Sequence, residues 1–162
     1  MNKTEKKPVK ILFVCLGNIC RSPSAEAIMK SLVEQAGMEH DIEIDSAGLL
    51  SYHQGSLPDE RMRAHARKRG YELISRSRPI ETDDFFTFDL IIGMDDANID
   101  ELQQRAPGLE EAKKIRRMTD YCRRIQMDHV PDPYYGGHSG FEMVLDLLED
   151  ACDGLLEKLR KR

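Results

Sequence analysis

The order of local patterns along the chain predicts an α/β domain, a three-layer sandwich in which a parallel sheet lies between two layers of helices. Three observations carry that prediction. Short apolar, β-branched runs alternate with segments whose apolar residues recur every three or four positions. The 162 residues suffice for one core and leave little room for a second. Strand–helix–strand alternation makes right-handed crossovers, which set the strands parallel and cover both sheet faces.

Residues 1–8 read as a charged, flexible tail and 9–162 as a single domain without repeats, low-complexity segments or linkers. Val9-Lys10-Ile11-Leu12-Phe13-Val14 is a buried strand, bounded by Gly17-Asn18. Ser22-Pro23 starts a helix, with proline at its first position and Glu26 in its first turn. Ala25, Ile28, Met29, Leu32, Val33 and Ala36 form its apolar stripe, and Gly37 ends it. Ile42 to Asp45 is a second strand, running into Ser46-Ala47-Gly48. A helix over Pro58 to Lys68 closes at Gly70. Asp89 to Met94 is a third strand, followed by a helix from Asp96 to about Arg105 that ends at Pro107-Gly108. Lys113 to Met118 is a weaker fourth strand. Phe141, Val144, Leu145, Leu148, Cys152, Leu155, Leu156 and Leu159 share one stripe of a long closing helix.

Charge and composition exclude several classes. Lys and Arg number 24 against 29 Asp and Glu, a net charge of −5, whereas a general nucleic-acid binder is basic. The longest apolar run, Ile11 to Leu16, is too short to cross a bilayer, so no membrane partner is expected. The first lysines imitate a secretory leader, but the apolar stretch is brief and leads into Cys20-Arg21 without an A-x-A-like site. Four cysteines (Cys15, Cys20, Cys122, Cys152) are too sparse for a disulfide framework, and reduced thiols in a cytoplasm are expected. The scattered histidines make no ligand set with them, so neither metal nor cofactor is expected. Asp83-Asp84 and Asp95-Asp96 would suit a magnesium site, but helix-start carboxylates account for Asp95-Asp96 more simply. The basic clusters at Arg61 to Arg69, Arg116-Arg117, Arg123-Arg124 and Lys158 to Arg162 read as solvated faces.

The informative segment is Cys15-Leu16-Gly17-Asn18-Ile19-Cys20-Arg21-Ser22, between the first strand and the first helix. Ligands of open α/β sheets bind there, at the carboxyl ends of strands. Backbone N–H groups of such a loop converge on an anion, aided by the positive end of the following helix. Gly17 permits positive φ, and Asn18 tolerates the left-handed region. At the bottom of this cradle Cys15 has surroundings that favour thiolate over thiol, which makes it the nucleophile. Arg21 returns to the rim and holds two phosphoryl oxygens with its planar fork, where lysine would be a poor substitute. Ser22 donates its hydroxyl to the sulfur. Cysteine followed six residues later by arginine is common by itself, but the flanking strand, Gly-Asn and Ser-Pro set this instance apart, and no other cysteine here has that spacing. A leaving oxygen also needs a proton. Asp132-Pro133-Tyr134-Tyr135-Gly136-Gly137 is a loop that points a carboxylic acid inward and offers two tyrosines as walls, although Asp-Pro and Gly-Gly are also ordinary turn formers.

CLGNICRSPSAEAIM near the start and DPYYGG near the end resemble the low-molecular-weight protein tyrosine phosphatase family. The resemblance extends through Asp45-Ser46-Ala47-Gly48, Pro58-Asp59-x-Arg61, Phe88-Asp89-Leu90-Ile91 and Met94-Asp95-x-x-Asn98, nearly the whole chain. It implies a four-stranded parallel sheet and a phosphate loop formed by Leu16, Gly17, Asn18, Ile19, Cys20 and Ser22. It implies a phosphocysteine on Cys15, phosphate held by Arg21, and Asp132 as acid then base. Asn18, Ser22 and Ser46 would form a supporting hydrogen-bond network. The family often adds a histidine after Gly70, where this chain has Leu73-Ile74-Ser75-Arg76. Substrates implied are tyrosine-phosphorylated proteins and small aryl phosphates, with inorganic phosphate as product. Members acting on phosphoarginine tend to carry threonine where Ile19 stands, which favours phosphotyrosine here. Many members have tryptophan near Tyr52-His53, and Tyr52 with Tyr134 and Tyr135 is the expected aromatic wall. Cys20 is placed to form a reversible disulfide with Cys15.

Two other readings compete. An arsenate reductase shares this fold and loop but needs further redox cysteines after the third strand, and none lies between Arg76 and Pro107. A non-catalytic phosphate-recognition module would need neither the nucleophile Cys15 nor the acid Asp132.

Overall fold

A computed structural model describes residues 7–133 and 137–161, with backbone alone at 137 and 138. The elements are β1 (Val9–Cys15), α1 (Arg21–Gln35), β2 (Ile42–Gly48), α2 (Glu60–Arg67), α3 (Thr82–Thr87), β3 (Leu90–Gly93), α4 (Asp96–Arg105), α5 (Leu109–Ala112), β4 (Ile115–Arg117), a 3-10 turn (Met118–Tyr121) and α6 (Gly137–Arg160). The four strands form one parallel sheet in the order β2-β1-β3-β4. Cys15 lies opposite Gly48, and on the other side of β1 Val14 lies opposite Gly93. The chain passes from β1 to β2 on one side and then crosses to β3 on the other, so the strand order reverses at β1 and a crevice opens beyond its carboxyl end, where Cys15 sits.

Side chains alternate across β1 and divide the interior in two. Ile11, Phe13 and Cys15 pack with Ala25, Ile28 and Met29 of α1 and Phe141, Leu145 and Leu148 of α6. Leu12 and Val14 face the other layer, with Phe85 of α3, Ile91 and Leu102 of α4. A strand apolar on both sides belongs in the middle of a covered parallel sheet. Each such side chain fully buried stabilises by about 1.5–3 kcal/mol.

Several boundaries differ from the sequence expectation. Helix α1 begins at Arg21, capped by the backbone of Cys20 without a side-chain hydrogen bond, which puts Pro23 third in the helix. Proline is tolerated there because the first four N–H groups of a helix have no internal partner. Glu26 then falls beyond the first turn and is buried. Helix α2 starts two residues later than expected because Asp59 is its N-cap, accepting from the N–H groups of Arg61 and Met62. The weak fourth strand shrinks to Ile115–Arg117, since Lys113 caps the unforeseen α5. Also unforeseen is α3, built on a reciprocal capping box between Glu81 and Asp84. That box, with the Arg78–Asp84 ion pair at 3.0 Å, commits one carboxylate of Asp83-Asp84 to structure. The closing stripe is as expected: Phe141, Val144, Leu145, Leu148, Cys152, Leu155 and Leu156 are buried, and Leu159 partly so. Of the expected tail, residues 1–6 lie outside the described residues.

Several residues of the basic clusters pair with the molecule's own acids, most of them at its surface. Arg69 joins α2 to α6 through Glu142, Asp146 and Glu149, and Arg123 and Arg124 reach Asp153. In the same region Asp150, 1% exposed, accepts the N–H groups of Arg123, Arg124 and Ile125 at 3.2, 2.9 and 2.8 Å. Burial pushes its carboxyl up, but those three donors prevail and hold it below the ordinary carboxylate value. A carboxyl depressed in the folded state contributes stability above its unfolded pKa of about 3.9 and loses it as pH falls through the folded value. We therefore expect Asp150→Asn to cost about 1.5–3 kcal/mol at pH 7, the range for hydrogen bonds to a charged group. In urea melts the gap between the two proteins should narrow steadily below about pH 4.

Candidate active site

The chain leaves β1 at Cys15, turns through residues 16–20 and enters α1 at Arg21. One residue of this turn is left-handed, and it is Asn18, with φ 57°, rather than Gly17. The smallness of Gly17 serves a close approach instead, because a Cβ there would stand 3.1 Å from Cδ2 of His53. Gly48 is likewise pressed against the turn: a Cβ would lie 3.0 Å from that of Asn18 and 3.1 Å from the Gly17 carbonyl carbon.

Asn18 is buried and its amide is fully used. Its Nδ2 donates to Ser22 Oγ at 2.7 Å and to Ser46 Oγ at 3.0 Å, and its Oδ1 accepts from the Arg78 N–H at 3.0 Å. Ser46 Oγ passes its own hydrogen to Glu26 Oε1 at 2.6 Å. With one amide hydrogen arriving at Ser22 Oγ, that hydroxyl's proton is left for Cys15 Sγ, 3.1 Å away, or the more distant Ala47 carbonyl at 3.5 Å. The Ser22 N–H also points at the sulfur, at 3.4 Å. Behind the turn runs a strap at residues 77–80, where Ser77 Oγ donates to the Gly17 carbonyl at 3.0 Å, the Gly48 N–H donates to the Arg78 carbonyl and the Ile80 N–H to the Gly48 carbonyl, both at 2.8 Å.

Arg21 is 3% exposed. Its Nη1 donates to Asp95 Oδ2 at 2.7 Å and to the Val130 carbonyl at 2.9 Å, and its Nη2 stands 4.0 Å from Asp132. Burial opposes its charge, but Cys15, Asp95 and Asp132 around it bind the proton more firmly than usual. Asp95 also caps α4, its Oδ1 accepting from the Asn98 N–H at 2.8 Å. Burial, then Asp59, Cys15 and Asp132, push the Cys20 thiol well above its ordinary value, against the opposing Arg21. Cys20 is therefore a protonated thiol and a poor nucleophile; Cys15 and Cys20 are both reduced.

Cys15, Leu16, Gly17, Ile19, Cys20 and Arg21 line a cleft of about 280 Å³, with Asp132 at its side and Leu50, Tyr52 and His53 completing it. Tyr52 is 85% exposed and meets the His53 ring edge-on, centroids 4.8 Å apart. Asn18, Ser22 and Ser46 are brought together behind the cleft instead of lining it. Tyr134 and Tyr135 lie outside the described residues. Among the described residues no group of three His, Cys, Asp or Glu side chains is placed to hold a metal ion, and no helix is long and apolar enough to cross a membrane.

The family described as low molecular weight phosphotyrosine protein phosphatase matches residues 10–162. The chain belongs to this family. It is 40% identical over 156 residues to a low molecular weight protein-tyrosine-phosphatase of Streptomyces coelicolor, covering 94% of each chain. A crystal structure of a protein tyrosine phosphatase from Entamoeba histolytica, with Hepes in the active site, superposes with a TM-score of 0.92 at 49% identity, covering 94% of this chain and 97% of that one. A drosophila arginine phosphatase structure gives 0.87 at 34% identity, covering 93% and 98%.

Against that family pattern, the network of this phosphatase ends differently. Segment 73–76 supplies no histidine, and the buried Glu26, paired with Lys30 at 2.6 Å, receives the last hydrogen from Ser46. Sequence pattern assigns Glu26 to a helix start and Asp95 to a cap alone, marks His53 only as a neighbour of Tyr52, and carries no signal for Ser77 or Arg78. Their roles come from segments distant in the chain. We expect Asn18→Ala, which strands Ser46 and the Arg78 N–H and puts a Cβ without compensating bonds at φ 57°, to lose about 2–4 kcal/mol. Asn18→Gly tolerates the dihedral and should recover only the backbone part; denaturant melts of the three proteins check the order.

Proposed function

We propose that this phosphatase hydrolyses phosphotyrosine in proteins, and small aryl phosphates, in two steps through Cys15. The observation that carries the reading is the meeting, on one cleft floor, of a sulfur 3.1 Å from the Ser22 hydroxyl and an arginine 4.0 Å from Asp132. In the first step the Cys15 thiolate attacks phosphorus, the bond to the tyrosyl oxygen breaks, and Asp132 as the acid gives that oxygen its proton. Arg21, anchored by Asp95, spans two phosphoryl oxygens, and the loop N–H groups with the start of α1 hold the rest of the charge. In the second step water attacks the phosphocysteine and Asp132 takes its proton. The thiolate departs, stabilised by the Ser22 hydroxyl, and inorganic phosphate is released.

The rival readings fare worse. An arsenate reductase needs further thiols within reach, but Cys152 is buried in the core, and burial and then Asp150 push Cys122 up to about 11. A recognition module would not need an acid beside the clamp. The sparse cysteines suit a cytoplasmic setting, and the net charge of −5 gives nucleic acid no purchase.

Cys15→Ser should abolish turnover of phosphotyrosine while leaving the melting curve near that of the parent, since a hydroxyl is a far weaker nucleophile at neutral pH. Appreciable activity in the purified variant would sink the phosphocysteine route. Asp132→Asn should lower kcat by about 10²- to 10⁴-fold on phosphotyrosine, the usual range for general acid catalysis. The loss should shrink on aryl phosphates whose phenols are already acidic; a constant factor across the series would assign the proton to another group. Ile19 lines the cleft and offers a guanidinium no hydrogen bond, so the parent should prefer phosphotyrosine to phosphoarginine and Ile19→Thr should move the ratio toward phosphoarginine. Equal specific activity of the parent on both substrates contradicts this assignment.

A further inference from the structure

The mouth of the cleft carries an apolar step that remains largely open to solvent. Leu16 and Leu50 are each 46% exposed and Tyr52 85%, and all three line the same cleft as Cys15. Single exposed apolar side chains are ordinary, but several meeting at the edge of one cleft mark a contact surface. The step is also fixed in place. The Leu50 N–H donates to the Leu16 carbonyl and the Leu49 N–H to that of Cys15, both at 3.0 Å, and Arg105 Nη2 holds the Leu49 carbonyl at 2.9 Å. A partner therefore pays little to order it. Among the described residues lining the cleft the one Lys or Arg is Arg21, buried on the floor.

We propose that this step selects the protein substrate: Leu16 and Leu50 receive an apolar side chain next to the phosphotyrosine, and acidic neighbours are disfavoured. The inference rests on the phosphotyrosine reading and deepens it. A phosphotyrosyl ring reaching Cys15 must pass between these residues, so the peptide backbone lies across the rim and its neighbouring side chain falls on the leucines. An acidic neighbour would instead desolvate its charge against leucine, with no Lys or Arg at the rim among the described lining residues to offset the cost.

The test is a set of phosphotyrosyl peptides identical except for Leu, Ser, Asp or Lys beside the phosphotyrosine, varied on each side in turn, with p-nitrophenyl phosphate as the reference substrate. On at least one side kcat/KM should be about tenfold higher for Leu than for Ser, the ratio given by taking roughly 55 Å² of apolar surface out of water, and lowest for Asp. In Leu50→Ser, with rates normalised to p-nitrophenyl phosphate on the same variant, the Leu to Ser ratio should fall to within about twofold. Peptides turned over without ranking, a preference for Asp or Lys over Leu, or a ratio untouched by Leu50→Ser overturns this inference and leaves the proposed function standing. If p-nitrophenyl phosphate is cleaved but no phosphotyrosyl peptide is, both fall together.

Discussion

The left-handed turn at Asn18 is the constraint on which the site depends. Residues between β1 and α1 must bend sharply enough for a strand-end sulfur and a first-turn arginine to face the same space. An L-residue at φ 57° accepts that bend only if local bonds offset the cost. The Asn18 amide supplies them, three in number, to Ser22, Ser46 and the backbone of Arg78. Each partner comes from a different part of the chain, so the amide of Asn18 is fully satisfied only with β2 and the strap at 77–80 in place. Gly48 lets β2 come close enough for this, since a side chain there would collide with the turn itself.

The same bonds give the turn its chemistry. Hydrogens run outward from the amide of Asn18, one toward Glu26 by way of Ser46 and one into Ser22, whose hydroxyl then faces the sulfur. A buried network of this kind stabilises only when every member is satisfied, and each of these is. A single arrangement thus holds the backbone and aims the Ser22 hydroxyl and N–H at the Cys15 sulfur.

Arg21 ties the cleft to the opposite side of the molecule. Its bond to Asp95 joins the start of α1 to that of α4, and its bond to the Val130 carbonyl steadies the chain leading to Asp132. Val130 in turn donates to the Met94 carbonyl at 2.8 Å, beside β3. Farther back, Asp150 pins residues 123–125, and His65 and Arg69 of the α2 region grip Glu142 near the start of α6 at 2.5 and 2.6 Å. The chain leading to Asp132 is thereby fastened to both the start of α1 and the end of β3, although it is a loop.

Local pattern alone determined a great deal here. Alternating β-branched and amphipathic runs dictated the layered sheet, because a strand apolar on both faces has to lie between helices. The stretch from Cys15 to Ser22 located the cleft, since the thiol, the left-handed turn and the arginine are contiguous in sequence and follow a strand end. Short helices escaped notice: α3 has six residues and α5 four, too few for a period to show, and α3 is marked only by its capping box. What only the tertiary structure decided are the partners. Glu26 looks like a helix-start acid, Asp95 like a simple cap and Ser77-Arg78 like loop until the fold sets them against Ser46, Arg21 and Asn18. A side chain's hydrogen-bond partner depends on distance in space, and between residues 20 to 109 positions apart no local periodicity encodes that distance.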